Sequence, residues 1–163
     1  NDEANCDQYG GLYFIGEALQ YENVPGAQGV CPEGWHVGTD EDFCELETTV
    51  DPSIICNATG YRGLDGGTKL KTSGDSGFEA LMAGLICNNE YYAFGGLDFQ
   101  TYFWAPGSNP YSDYWIRGLR TDKATVERIS DPIILATSVR CVKSFPPNQP
   151  PDPPSNPYPE DGA

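Results

Sequence analysis

The chain has 163 residues, the size of one ordinary domain, and its 24 acidic side chains against 9 Lys and Arg give a net charge of −15. A charge of this size repels phosphate backbones and anionic lipid surfaces, so nucleic acid is excluded as a partner. No apolar run approaches the ~20 residues that span a bilayer, so direct membrane insertion is not expected.

The first predicted element is a strand in the stretch GGLYFIGEAL, residues 10–19. The clearest element is the helix that follows Thr39, a good N-cap residue. Three acids complement the positive end of its dipole, namely Asp40, Glu41 and Asp42, and Asp42 occupies the capping-box position. Apolar residues recur at helical spacing as far as Val50, and Asp51-Pro52 ends the helix. A role in starting the helix is therefore a better explanation of these carboxylates than a catalytic role.

The rest of the chain is punctuated by glycines and predicts short strands. FEALMAGLIC (78–87) fits a helix or a strand by periodicity, although its flanking Gly and Asn residues favour a short element. Four later stretches have the aromatic and β-branched content of strands: TYFWAP (101–106), DYWIRGL (113–119), ATVERIS (124–130) and ATSVRCVKS (136–144). One or two helices with many short strands predict an α+β fold rather than a parallel βαβ design.

A change of composition at Pro146 divides the chain into a domain, residues 1–145, and a tail, residues 146–163. Eight of the 18 tail residues are proline, so the tail cannot build a core. It should be extended polyproline II, roughly 55 Å long at about 3.1 Å per residue. Two roles remain open, a spacer to something beyond the domain and an arm that docks on a neighbouring molecule.

The six cysteines are scattered, without the Cys-x-x-Cys pair of a zinc knuckle or a redox dithiol. An even number of scattered cysteines predicts disulfides and an oxidising compartment. We therefore expect an extracellular or cell-surface protein, exported and with its signal peptide already removed.

Six stretches carry a family resemblance: YGGLYF (9–14), CPEGWHVGTDEDFCEL (31–46), GGTKLK (66–71), SGFEAL (76–81), YFWAPG (102–107) and SVRCVK (138–143). In this order they resemble the Fibrobacter succinogenes major paralogous domain family. The resemblance implies a C-type-lectin-like domain, with one or two helices packed on small twisted antiparallel sheets, long loops and disulfide staples. Members are typically exported bacterial surface proteins of undefined activity, so the resemblance implies a fold and a compartment more than a function.

The resemblance also implies the first disulfide, Cys31–Cys141, because it places these two motif positions together. The other four cysteines allow three pairings. We predict Cys44–Cys56, which ties the helix to the following loop and leaves Cys6–Cys87; a bond to another subunit remains an alternative.

Two departures from related folds limit the chemistry. The stretches SNPYSD (108–113) and YWIRG (114–118) lack the triplets with which sugar-binding C-type lectins ligate calcium. Cys141 has no close cysteine neighbour, which the formylglycine-generating enzymes require. Asp65 and Asp75 lack the alternating acids of an EF-hand loop, so plain turn chemistry is favoured there. We predict no cofactor and no metal site.

A catalytic site is not predicted either. His36 is the only histidine, and in the resemblance it belongs to the scaffold, so a Ser-His-Asp or Cys-His site depends on that one residue. We expect Trp35 and His36 to be core residues satisfied by backbone contacts, and the protein not to be an enzyme.

A run of aromatic residues offers a binding surface. Alternate strand residues face opposite ways, so Phe103 and Trp115 should be core while neighbouring side chains reach the surface. Exposed tyrosines with Asn and Asp residues beside them stack on sugars or bind a protein partner. The predicted binding residues are Tyr91, Tyr92, Tyr102, Trp104, Tyr111 and Tyr114.

The sequence thus predicts a non-catalytic extracellular structural or interaction protein. It would be a bacterial surface assembly or filament subunit, or an adhesin-type module, whose partner is another protein or copies of itself. Contacts would run through the Pro-rich tail and the aromatic loop face. The alternative is a calcium-independent carbohydrate-binding module.

Overall fold

The computed structural model describes residues 3–22, 24–87, 93–107, 114–130 and 134–145. The elements follow one another along the chain as α1 (Glu3–Tyr9), β1 (Tyr13–Phe14), α2 (Ile15–Ala18), β2 (Trp35–Val37), α3 (Asp40–Val50), β3 (Gly60–Arg62), α4 (Gly66–Leu70), β4 (Ala83–Cys87), β5 (Phe94–Leu97), β6 (Gln100–Ala105), β7 (Trp115–Arg120), β8 (Val126–Ser130), β9 (Ile134–Thr137) and β10 (Cys141–Lys143). The tail lies outside the described residues, as do Tyr91, Tyr92 and Tyr111.

The strands form one large sheet and one ribbon. The sheet runs in the order β1-β9-β4-β6-β7-β8-β3, with β5 paired to β4, and β2 pairs with β10 in the separate ribbon. Among these strand pairs only β4 and β6 run parallel. The mainly antiparallel sheet with a few short helices is that of a small α+β domain, as predicted. None of the helices in the described ranges is both long and apolar enough to cross a bilayer.

The predicted helix is confirmed as α3, together with its cap. The backbone N–H of Asp42 donates to the Thr39 hydroxyl at 3.1 Å, and the N–H of Thr39 donates to the Asp42 carboxylate at 2.8 Å. These reciprocal bonds form the capping box that the sequence predicts. The helix ends at Val50, one residue before Asp51.

Two strand predictions need correction. Residues 10–19 contain only the two-residue β1 before the chain turns into α2, because the Glu17 carboxylate accepts the N–H of Phe14 at 3.4 Å and closes the first helical turn. Residues 136–144 are split between β9 and β10, which belong to different sheets. The strands predicted over 101–106, 113–119 and 124–130 are confirmed as β6, β7 and β8.

The central strand β6 is covered on both faces. Phe103 and Ala105 point into the first core cluster, between the sheet and α3. Tyr102 and Trp104 point into a second cluster on the opposite face, with Ala18, Leu85 and Ile116. Alternation along the strand is therefore real, but both faces are interior. Placing Tyr102 and Trp104 on the surface is wrong for this reason.

A buried charge network joins α3 to the sheet. Glu47 is fully buried and its two oxygens pair with Arg62 of β3 and Arg117 of β7, each at 2.7 Å. Asp40, at the start of the same helix, pairs with Arg117 and with Arg128 of β8, also at 2.7 Å. Burial alone would raise the pKa of Asp40, but the two guanidinium groups lower it below its ordinary value.

Two disulfides staple the domain, Cys31–Cys141 and Cys44–Cys56, as predicted. The third predicted bond, Cys6–Cys87, is not formed, and both thiols are free. Their packing gives the reason: Cys6 is exposed on α1, whereas Cys87 packs against the second core cluster at the end of β4.

Candidate docking groove

A groove of about 820 Å³ opens between α3, the β2–β10 ribbon and the Gly77–Phe78 segment. Its volume lies within the range of small-ligand sites. The apolar lining comes from Trp35, Phe43, Leu46, Phe78, Val142 and Phe145, and the polar lining includes His36, Asp42, Glu45, Thr49, Arg140 and Lys143.

The ribbon holds Trp35 at the edge of this groove. A turn precedes β2, in which the N–H of Trp35 donates to the carbonyl of Pro32 at 3.0 Å. The turn uses Gly34 at φ +80°, a conformation that glycine adopts without strain. Trp35 then lies opposite Lys143 of β10, and its side chain is 40% exposed. The expectation that Trp35 is a core residue is wrong, because in β2 it is Val37 that enters the core.

His36 links the ribbon to the start of α3 through side chains rather than backbone contacts. Its Nε2 lies 2.9 Å from an Asp42 oxygen and its Nδ1 2.9 Å from the Ser144 hydroxyl. That Asp42 oxygen also accepts both the N–H and the hydroxyl of Thr39. Burial alone would raise the pKa of Asp42, but these hydrogen bonds from Thr39 and His36 lower it below its ordinary value.

The side chains of His36, Asp42 and Ser144 have the composition of a catalytic triad, but they are arranged differently. In the serine-protease triad the carboxylate holds Nδ1 and the serine contacts Nε2. Here the two nitrogens are exchanged, and the Asp42 oxygen that contacts the ring also accepts the Thr39 N–H in the capping box of α3. A carboxylate only accepts hydrogen bonds, so the Nε2–H of His36 donates to Asp42. The arrangement fastens the ribbon to the helix.

Arg140 forms the polar part of the groove wall. Its guanidinium lies 4.2 Å from the centroid of the Phe78 ring and donates to the Phe78 carbonyl at 2.7 Å. Its Nε is buried without a hydrogen-bond partner among the described residues. Burial lowers the pKa of Arg140, although an arginine stays charged at neutral pH. The groove wall therefore contains a cation packed against an aromatic face.

Phe145 is the last residue that the structure describes before the tail, and its side chain is 80% exposed. Because it lines the groove, the tail begins at the edge of this groove. Two aromatic side chains, Trp35 and Phe145, are thus presented to solvent where the domain ends.

The predicted aromatic face is not assembled as the sequence suggested. Tyr102 is buried and its hydroxyl donates to Glu127 at 3.1 Å. Burial raises the pKa of Tyr102, and the neighbouring Glu127 carboxylate raises it further. The indole N–H of Trp104 donates to the carbonyl of Tyr13 at 2.8 Å. Tyr114 is half-buried, with its ring 6.4 Å from that of Trp104. Tyr91, Tyr92 and Tyr111 lie outside the described residues, so their part of the prediction stays a prediction.

Sequence reasoning missed the groove although the signal was present. Its lining comes from three of the six motif stretches, residues 31–46, 76–81 and 138–143, with Thr49 and Phe145 beside them. Taken alone, each stretch predicts only a turn, a helix cap or a strand. Only the ribbon pairing and the packing of α3, which are long-range contacts, bring them to one place.

A metal centre is not formed in the part of the chain that the structure describes, where no group of three His, Cys, Asp or Glu side chains is placed to hold an ion. Asp65, considered for calcium, is paired instead with Lys69 at 3.0 Å.

A model of the Fibrobacter succinogenes major domain matches residues 1–143. No curated protein and no solved structure matches the chain.

Proposed function

Because the chain belongs to the Fibrobacter succinogenes major domain family, we propose that it is a non-catalytic structural and interaction module of the bacterial cell surface. It would act as an assembly or filament subunit, or as an adhesin-type module, and bind a protein partner or copies of itself. The two disulfides support an extracellular location, since such bonds persist in oxidising compartments.

The observation that carries this proposal is the groove with exposed Trp35 and Phe145 at its edge, next to the base of the Pro-rich tail. Solvent-exposed aromatic side chains beside a concave surface are typical of protein recognition sites. A tail that cannot fold alone supplies a second contact element. One chain therefore carries a receptor surface and an extended arm.

The ionisable groups support a non-catalytic role. Asp40 and Glu47 are held by arginines in the network under α3. The Asp42 carboxylate accepts the Thr39 N–H in the capping box of that helix and contacts His36. A general acid or base must exchange its proton with a substrate, whereas these groups are committed to internal partners. They make the domain rigid instead.

We also propose that the fold is C-type-lectin-like. Support comes from the pairing of β1 with β9 and of β2 with β10, which brings the two ends of the domain together. The helix α3 packs on the sheet beside them. A calcium-independent carbohydrate-binding module is the alternative function, because aromatic rings such as Trp35 also stack on sugars.

Removal of residues 146–163 tests the proposal. We expect the full chain to self-associate and the truncated chain to remain a monomer in sedimentation velocity. A carbohydrate-binding module would instead keep its glycan binding, measured on a glycan array, after truncation. The melting temperature serves as the control for folding. Unchanged assembly of the truncated chain contradicts the assembly role of the tail.

A further inference from the structure

We infer that the groove between α3 and the β2–β10 ribbon binds the Pro-rich tail, residues 146–163, of a second copy of this chain. The tail would bind as an extended polyproline II segment. The inference rests on the proposed assembly function and identifies the contact through which copies join.

The groove offers what a proline-rich segment needs. Such segments dock in grooves lined by aromatic side chains, and here Trp35 and Phe145 stand at the edge while Phe78 lies within. Proline residues have no N–H, so a proline-rich backbone presents mainly carbonyl acceptors. The groove must then supply donors. Two cationic donors line it, the guanidinium of Arg140 and the ammonium group of the exposed Lys143.

The tail has the matching periodicity. In polyproline II, residues three apart lie on the same face. One predicted face contains Pro147, Pro150 and Pro153, a second contains Pro151, Pro154 and Pro157, and the third contains Gln149, Asp152, Ser155 and Tyr158. Two apolar faces and one polar face suit a groove whose lining is partly aromatic and partly polar.

Charge favours this location on the domain. The tail carries Asp152, Glu160 and Asp161 and no Lys, Arg or His, so most of a chain with net charge −15 repels it. The groove lining has two cations, Arg140 and Lys143, against the carboxylates of Asp42 and Glu45. The lining is therefore close to neutral, and Asp42 is already hydrogen-bonded to Thr39 and His36.

Geometry favours a second copy over the chain's own tail. The tail leaves the domain at the groove edge, and Pro146-Pro147 fixes φ and disfavours the helical region for the residue before each proline. A direct reversal into the adjacent groove is thus disfavoured. A tail of roughly 55 Å also exceeds the diameter of a domain of this size, on the order of 40 Å. Because each copy carries both this groove and a tail, the contact is head-to-tail and extends into a chain of copies.

Complementation between two full-length variants tests the inference. Trp35→Ala removes one aromatic side chain from the groove and leaves the tail intact. The triple variant Pro151→Ala, Pro154→Ala, Pro157→Ala disrupts the tail and leaves the groove intact. Each alone should weaken self-association by at least about tenfold, the loss typical of a central contact residue. Mixed together, they should form a one-to-one dimer that grows no further in sedimentation velocity.

Controls separate this inference from the proposed function. Phe145→Ala is a second groove variant, at an 80% exposed position where folding is not at risk. Phe94→Ala, at a 51% exposed aromatic on β5 outside the groove, should assemble like the unchanged chain. If tail removal abolishes assembly while both groove variants assemble normally, the groove assignment is wrong and the proposed function stands. A mixture that forms no dimer also overturns the inference. Assembly without the tail overturns the inference and the assembly role of the tail, while self-association itself remains.

Discussion

At the residue scale, Asp51 shows how one carboxylate organises a loop. It is buried, and one of its oxygens accepts the backbone N–H groups of Leu64, Asp65 and Gly66 at 2.6 to 3.1 Å. Its other oxygen accepts the N–H and hydroxyl of Ser53. From sequence, Asp51 marks only the end of a helix, because its partners in the loop are 13 to 15 residues away.

This geometry predicts a loss of stability in acid. Burial alone would raise the pKa of Asp51, but the hydrogen bonds to Ser53 and to the loop lower it far below its ordinary value of 3.8. The unfolded chain then binds more protons than the folded chain, so the free energy of unfolding falls as pH drops below about 4. The contribution is fully present above that pH. Urea unfolding at a series of pH values measures it.

Asp51→Asn checks the assignment to this residue. An amide group cannot accept as many hydrogen bonds, so we expect a loss of about 3 kcal/mol at neutral pH and a weaker acid dependence. Asp75→Asn, at an exposed position, should leave the free energy of unfolding at neutral pH and its acid dependence unchanged. An equal acid dependence in Asp51→Asn would assign the effect to other carboxylates.

At the scale of elements, the local sequence determines where α3 begins, whereas distant residues determine how α3 packs on the sheet. Thr39 and Asp42 predict its start correctly because a cap is local. The burial of Glu47 could not be predicted in the same way, since its partners Arg62 and Arg117 lie 15 and 70 residues away. Arginines inside the apolar strand patterns of β7 and β8 were the only local sign of a buried network.

Removing one charge from this network should destabilise the docking of α3. Glu47→Gln leaves Arg62 and Arg117 buried without their full partner, and we expect the free energy of unfolding to fall by about 3 kcal/mol. Glu41→Gln, exposed in the first turn of the same helix, should cost less than about 0.5 kcal/mol. The urea midpoint measures both. Equal effects would mean that Glu47 contributes through helix propensity rather than through its ion pairs.

At the scale of the whole molecule, the α+β class, the two staples and most strands follow from the sequence and its family resemblance. The aromatic stretch was misread because periodicity gives the two faces of β6 but not which faces are covered. The groove could not be placed because it depends on the pairing of β2 with β10, stretches about 100 residues apart that Cys31–Cys141 joins.

The staples should contribute unequally to stability. Cys31–Cys141 joins residues 110 apart and Cys44–Cys56 residues 12 apart, so in the chain-entropy model their contributions are about 5 and about 3 kcal/mol. We expect Cys31→Ala/Cys141→Ala to lower the free energy of unfolding more than Cys44→Ala/Cys56→Ala, as measured by urea unfolding without reductant. Cys6→Ser, at a free exposed thiol, should be neutral, and thiol titration of the unreduced, unfolded chain should give two thiols per molecule. A titration that finds none, together with a destabilised Cys6→Ser variant, would mean that Cys6 is bonded after all and that the domain has a third staple.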